Sequence, residues 1–169
     1  YEVIIINDGS EDNCKNLIYN FIKEKRFISL INNKRNMGKS FSIIKALKKS
    51  KYNYVILVDS DLPYFSKFSQ IIKLLKTNDL VLIDRRHSNS KIKFEEFSIY
   101  ILSRFLIGYF ISFLFKYLIN FKRPIIDTQA GLKGFKKLSN MDYGYFISKR
   151  FFFDMELIYL YTQNKKKII

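Results

Sequence analysis

The sequence predicts an α/β fold of the doubly wound class: a mostly parallel sheet with helices on both faces. Three observations carry that prediction. Short apolar runs recur along the chain, segments of helical spacing separate them, and polar residues gather where the runs stop. In such folds ligands sit beyond the carboxyl ends of the strands, so the last observation bears on function as well as on fold.

Taken in order, the apolar runs 2–6, 27–32, 54–58 and 80–83 read as strands. Between them, residues 13–25 carry Leu17, Ile18, Phe21 and Ile22 at helical spacing, and 39–49 do the same with Ile43, Ile44 and Leu47. Residues 66–76 repeat the pattern with Phe68, Ile71, Ile72 and Leu75. The order is βαβαβαβ. The chain has no internal repeats and no Pro/Gly-rich linker, so residues 1–169 read as a single catalytic-size domain. It starts at Tyr1 directly on an apolar run, with no basic segment ahead of it, and the run does not read as a signal peptide. Lys165-Lys166-Lys167-Ile168-Ile169 looks like the start of another strand, and the expectation is a fragment of a longer protein.

A hydrophobic content of 48% excludes a disordered chain, and one Cys with one His excludes a disulfide framework or a Cys/His zinc site. The formal net charge of +15 invites a nucleic-acid reading. Yet Lys outnumbers Arg 23 to 7, and Ile, Lys, Asn and Phe make up 78 residues, all encoded by A/T-rich codons. Part of the charge is therefore a solvated surface set by codon usage, and part is an attraction to phosphate groups or an acidic membrane. No nucleic-acid partner is expected.

The strand ends hold the chemistry. The first run ends in Asn7-Asp8-Gly9-Ser10, the third in Asp59-Ser60-Asp61, and the fourth in Asp84-Arg85-Arg86-His87. Charged groups are costly to bury, so at these places they read as site residues. Two carboxylates as close as Asp59 and Asp61 repel unless a cation neutralises them, which suits Mg²⁺ or Mn²⁺; a turn with a helix cap is the other reading. Gly38-Lys39-Ser40 looks like the end of a phosphate-binding loop, but its first glycine position is Asn33, which argues against a nucleoside triphosphatase. Residues 127–133, with Asp127, Gln129, Gly131 and Lys133, read by themselves as a helix start with a turn. Asp154 and Glu156 sit two apart among aromatics, as a cap, a partner for a surface Lys, or acid–base groups.

Together NDGSEDN, RNMGKSFSIIKAL, YVILVDSDL, LVLIDRR, DTQAGLKGF and FFFDMEL resemble the family 2 glycosyltransferases of GT-A fold, especially the branch that makes polyprenyl-phosphate sugars, such as dolichyl-phosphate glucose and mannose synthases. The resemblance covers almost the whole chain; it lacks the family's first strand and P-x-Y-N-E loop. It implies a GT-A, Rossmann-like fold and an inverting transfer of a sugar from UDP-glucose or GDP-mannose to a lipid phosphate. By that resemblance Asp8 contacts the nucleobase, Arg35, Asn36, Gly38 and Lys39 lie beside the nucleotide, Asp59 holds the ribose, and Asp61 binds the metal with Asp59 at hand. Arg86 matches the arginine of the family's G-S-R strand end, with Asp84-Arg85 replacing Gly-Ser. Arg104, Gln129 and Lys133 face the acceptor phosphate, and Asp127, Asp154 and Glu156 complete the catalytic set with Asp61. The Gln that mannosyl enzymes carry two residues after D-x-D is Pro63 here, which favours glucose.

Residues 98–121 are the most apolar stretch. Arg104, Gly108, Ser112, Lys116 and Asn120 recur every four residues as a narrow polar stripe, as in an amphipathic segment lying in a membrane interface. A buried packing helix and a membrane span are the other readings. The expected location is the cytoplasmic face of a membrane. Two other function classes stand beside the lipid-phosphate reading: a family 2 enzyme acting on a sugar hydroxyl, and a non-catalytic basic binding module.

Overall fold

A computed structural model describes residues 1–85, 106–108, 110, 113–114, 117, 127, 129–139, 142–148, 150 and 152–169. The chain divides into two compact units, Tyr1–Asn53 with Lys137–Glu156, and Tyr54–Lys136 with Leu157–Ile169.

In the first unit, β1 (Val3–Asn7) pairs in parallel with β2 (Ile28–Asn32), Ile5 opposite Leu30. Helix α1 (Cys14–Ile22) packs on β2, and α2 (Lys39–Lys49) packs on β1. The apolar positions of α2 fold inward as their spacing requires, with Ile43, Ala46 and Leu47 buried. Its carboxyl end is closed by Lys137, whose Nζ donates to the carbonyls of Leu47 (3.2 Å) and Ser50 (2.7 Å). A cation there satisfies carbonyls that have no partner within the helix and opposes the negative end of the helix dipole. Helix α1 is looser: Leu17 and Phe21 are exposed although they belong to the expected apolar face.

In the second unit, β3 (Tyr54–Val58) and β4 (Leu80–Leu82) flank β5 (Leu132–Lys136), which runs antiparallel to both. The expected parallel pairing is therefore seen in part among the described residues. The parallel pairing is β1 with β2, whereas the second sheet is antiparallel because β5 inserts between β3 and β4 and runs against them. Residues 132–136 were not foreseen as a strand.

Helix α3 (Phe68–Leu75) covers one face of this sheet, where Ile71, Leu75, Val81 and Leu132 form a buried cluster. Phe135 packs edge-to-face on Tyr161 of α4 (Phe153–Gln163), and the Tyr161 hydroxyl donates to the carbonyl of Lys136. The chain's last residues run beside β4, Leu80 bridging in parallel to Ile168, so the strand-like ending is present as a single bridge.

Gly134 fixes how closely α3 sits on the sheet. A Cβ there would lie 2.5 Å from Ile71 Cγ2 and 2.8 Å from Leu75 Cδ1. Gly134→Ala is expected to destabilise the protein by about 2 kcal/mol through overpacking, and Gly134→Val by more. Thermal unfolding checks this; an unchanged midpoint in both variants would contradict the packing.

Candidate functional site

Each unit carries its own polar strand ends. In the first, the loops after β1 and β2 are tied together by Asp8. Its Oδ1 accepts from Asn33 Nδ2 (2.8 Å) and from the Met37 amide (3.0 Å), and its Oδ2 accepts from the Gly38 amide at 2.8 Å. Asn33 is itself held: Nδ2 also donates to Ser42 Oγ (2.9 Å), and Oδ1 accepts from Lys45 Nζ (2.8 Å). Burial works to raise the Asp8 carboxyl's pKa, but the bonds from Asn33, Met37 and Gly38 outweigh it and hold it below the usual carboxylate value.

Gly9 makes this approach possible. Its φ is +77°, and a Cβ would fall 2.3 Å from the Arg35 carbonyl carbon, where backbone cannot yield. Arg35 and Asn36 are exposed, Lys39 is half-buried, and Gly38 precedes α2 with φ 96°. The first-unit residues expected beside a nucleotide thus share one loop pair whose frame is the Asp8 carboxylate.

In the second unit, β3 runs into Asp59-Ser60-Asp61. The Asp59 amide donates to the Gly131 carbonyl (3.0 Å), and the Leu62 amide donates to the Asp59 carbonyl (2.9 Å). Leu62 and Tyr64 adopt φ of 50° and 59°, left-handed conformations that cost non-glycine residues energy and concentrate at functional turns. Gly131 has no Cβ because one would lie 2.6 Å from Asp59 Oδ2 and 2.7 Å from Pro63 Cγ. Asp59 is half-buried and Asp61 exposed.

Among the described residues no cluster of three His, Cys, Asp or Glu could enclose a metal ion. Two carboxylates on one turn fit a different arrangement, in which Mg²⁺ or Mn²⁺ takes one or two protein oxygens and completes its shell with substrate phosphate and water. The donor set therefore suits an ion that arrives with a diphosphate.

Beyond β4, Asp127, expected in the catalytic set, is paired with Arg85, a residue to which the resemblance gave no role. Arg85 donates through Nε to Asp127 Oδ2 and through Nη2 to Asp127 Oδ1 (2.8 Å), and its amide reaches Oδ2 at 3.3 Å. The Gln129 amide donates to Asp127 Oδ1 (3.1 Å), while the Gln129 side chain is exposed. Burial pushes the Asp127 carboxyl upward, but Arg85's hydrogen bonds and charge prevail and hold it low. Two arginines in succession at a strand end was the available signal for Arg85; choosing between them needed the backbone.

The remaining candidates fall into three groups. Lys133 is 2% exposed in β5, where it lies opposite Leu57 of β3 and Leu82, the last residue of β4, and is thus buried near the carboxyl ends of both strands. Asp154 is buried, and Glu156 Oε1 accepts from the amides of Ile147 (3.0 Å) and Ser148 (2.9 Å), pinning that segment to the start of α4. Arg86 and Arg104 lie outside the described residues. Sequence reasoning also missed Asn33, Ser42 and Lys45, whose polar side chains follow a strand end without forming a familiar motif.

Carboxylates held by loop amides beyond the strand ends define the class of α/β protein that gathers its ligand groups there. The chain belongs to glycosyl transferase family 2: that family's profile matches residues 1–144. Among curated proteins it is similar to a dolichyl-phosphate beta-glucosyltransferase of Trichomonas vaginalis, 33% identical over 99 residues, covering 55% of this chain and 31% of that protein. It is also similar to a poly-beta-1,6-N-acetyl-D-glucosamine synthase of Staphylococcus aureus, 40% identical over 70 residues, covering 38% of this chain and 17% of that protein. The chain thus spans less than a third of the length of either relative.

Proposed function

We propose that the protein transfers a sugar, glucose before mannose, from a nucleotide-diphosphate sugar to a polyprenyl phosphate at a membrane surface. The observation that carries this reading is the Asp59-Ser60-Asp61 turn, drawn against Gly131 in a family 2 chain. Support for the lipid acceptor comes from the first relative and from the apolar stretch. Leu106, Phe110, Phe113 and Tyr117 are helical, exposed and spaced as one face of a helix. Such a face suits burial at the headgroup boundary, and no helix of the described residues is long and apolar enough to cross a membrane.

The reaction is a single inverting displacement. An acceptor phosphate oxygen forms a bond to the anomeric carbon, the bond from that carbon to the diphosphate breaks, and the nucleoside diphosphate leaves with the electron pair. A phosphomonoester with a second pKa of about 6 is already anionic at neutral pH, so no strong general base is required. Asp8 frames the loop beside the nucleotide, Asp59 orients the ribose, and Asp61 with Asp59 would hold Mg²⁺ or Mn²⁺. When bound, that ion supplies charge neutralisation for the leaving diphosphate.

Asp61→Ala is expected to lower metal-dependent transfer by about a hundredfold or more, with little change in unfolding temperature because the side chain is exposed. The assay uses the complete protein and polyprenyl phosphate, with UDP-glucose and GDP-mannose compared; normal transfer by the variant removes the metal assignment.

A second reading, transfer to a sugar hydroxyl, has the Staphylococcus relative in its favour. A hydroxyl needs a general base, and burial of Asp154 and the amide bonds to Glu156 make these carboxylates less suited to that work. Family membership favours either transfer over a non-catalytic basic binding module.

A further inference from the structure

One short segment fixes the ends of two strands. At residue 127 its carboxylate grips Arg85 just past β4, and at residue 131 its carbonyl accepts the Asp59 amide just past β3. The bare Cα of Gly131 then lets the Asp59 carboxylate close in. Asp127 and Gly131 therefore each fix one side of the approach between a guanidinium and the first carboxylate of the D-x-D turn. Asp59 lies near enough for its charge to favour the protonated form of Arg85, behind the larger effect of Asp127 itself.

The ion pair is lopsided. The Asp127 side chain is 1% exposed, while that of Arg85 is 41% exposed. A guanidinium carries five N–H groups in a rigid plane, and Asp127 engages Nε and one edge of Nη2. The rest of the fork stays reachable from solvent, with its orientation set from the buried side. Rigid, partly satisfied guanidinium groups suit phosphate oxygens, which accept two parallel N–H bonds. Asp59 and Asp61 make this turn acidic, so a phosphate that binds here needs a fixed cation beside them.

We propose that Arg85 is a phosphate-binding residue for the diphosphate of the nucleotide sugar, and that Asp127 is a positioning residue that holds its plane. This rests on the nucleotide-sugar reading above. It gives Arg85 a role where the family pattern has Ser, and it makes Asp127 and Gly131 part of the scaffold of the sugar-donor site.

The test is calorimetric titration of the complete protein, in Mg²⁺, with UDP and GDP and with their phosphate-free counterparts uridine and guanosine. Arg85→Gln is expected to weaken the bound diphosphate about tenfold or more while leaving the nucleoside unchanged. Arg85→Lys is expected to recover part of the loss, since it restores charge but not the fork. Arg85→Gln leaves Asp127 buried without its partner, so the double variant Arg85→Gln/Asp127→Asn, which strands no charge, is measured alongside it. Asp127→Asn alone is expected to weaken diphosphate binding in the same selective way. Unchanged diphosphate affinity in the double variant, or equal losses for nucleotide and nucleoside, would overturn the proposal. Absence of any UDP or GDP binding by the unaltered protein overturns the nucleotide-sugar reading itself, before any variant is made.

Discussion

Asp8→Ala is expected to cost about 2 to 4 kcal/mol and to remove nucleotide binding with it. The carboxylate accepts from Asn33 and from the amides of Met37 and Gly38, so its loss strands two backbone donors and one side-chain donor in a partly buried loop. At roughly 2 to 4 °C per kcal/mol for a chain of this size, the unfolding midpoint falls measurably. Asp8→Asn keeps the shape but turns one acceptor into a donor, and an intermediate loss is expected. The same bonds give a pH dependence. The folded Asp8 carboxyl titrates below its ordinary value, as Asp127 does, so both contribute stability that is complete above about pH 4. That stability is lost as pH falls through the lowered folded values. Acid unfolding curves of Asp8→Ala should lack part of this loss, and a variant as acid-sensitive and as stable as the unaltered protein would remove Asp8 from the frame of the loop.

How much of this was legible differs from element to element. Strand β3 and helix α2 fall on the expected residues, because an apolar run and a 3.6-residue period report directly on one chain segment. Strand β5 did not announce itself. In Leu132-Lys133-Gly134-Phe135-Lys136 the residue facing α3 is a glycine, chosen for the absence of a side chain, and a lysine is buried beside it. The antiparallel course of β5 was hidden for the same reason: it depends on where β5 inserts, a fact about distant residues. Helix α1 shows the converse, since periodicity found its apolar face but could not say what covers Leu17 and Phe21. At the site, the carboxylates stood out because charge at a strand end is costly without a purpose. Their partners did not. Asn33 and Arg85 acquire meaning when the chain brings them to residues 25 and 42 positions away, Asp8 and Asp127.

Gly131→Ala separates the positioning of Asp59 from the chemistry of Asp61. Gly131 has no left-handed φ, so its need is steric: a Cβ would lie 2.6 Å from Asp59 Oδ2 and 2.7 Å from Pro63 Cγ. Neither neighbour is the free end of a long side chain. The Pro63 ring is rigid, and Asp59 has a short side chain whose backbone is already fixed by its amide bond to the Gly131 carbonyl. The carboxylate must therefore swing away or the turn must shift by a good fraction of an ångström. Displacement on that scale is expected to lower sugar transfer by about a hundredfold, through misplacement of a bound group that the reaction needs in line. Overpacking adds a stability loss of about 1 to 3 kcal/mol, which sets this variant apart from Asp61→Ala, where activity falls without it. Adding Pro63→Ala removes one of the two contacts and should return part of both losses, since the Cβ gains room on that side. Measuring kcat/KM for the sugar nucleotide and the unfolding midpoint on the same preparations decides the matter. Wild-type transfer by a stable Gly131→Ala protein would mean that Asp59 does its work, if any, without the close approach that the glycine permits.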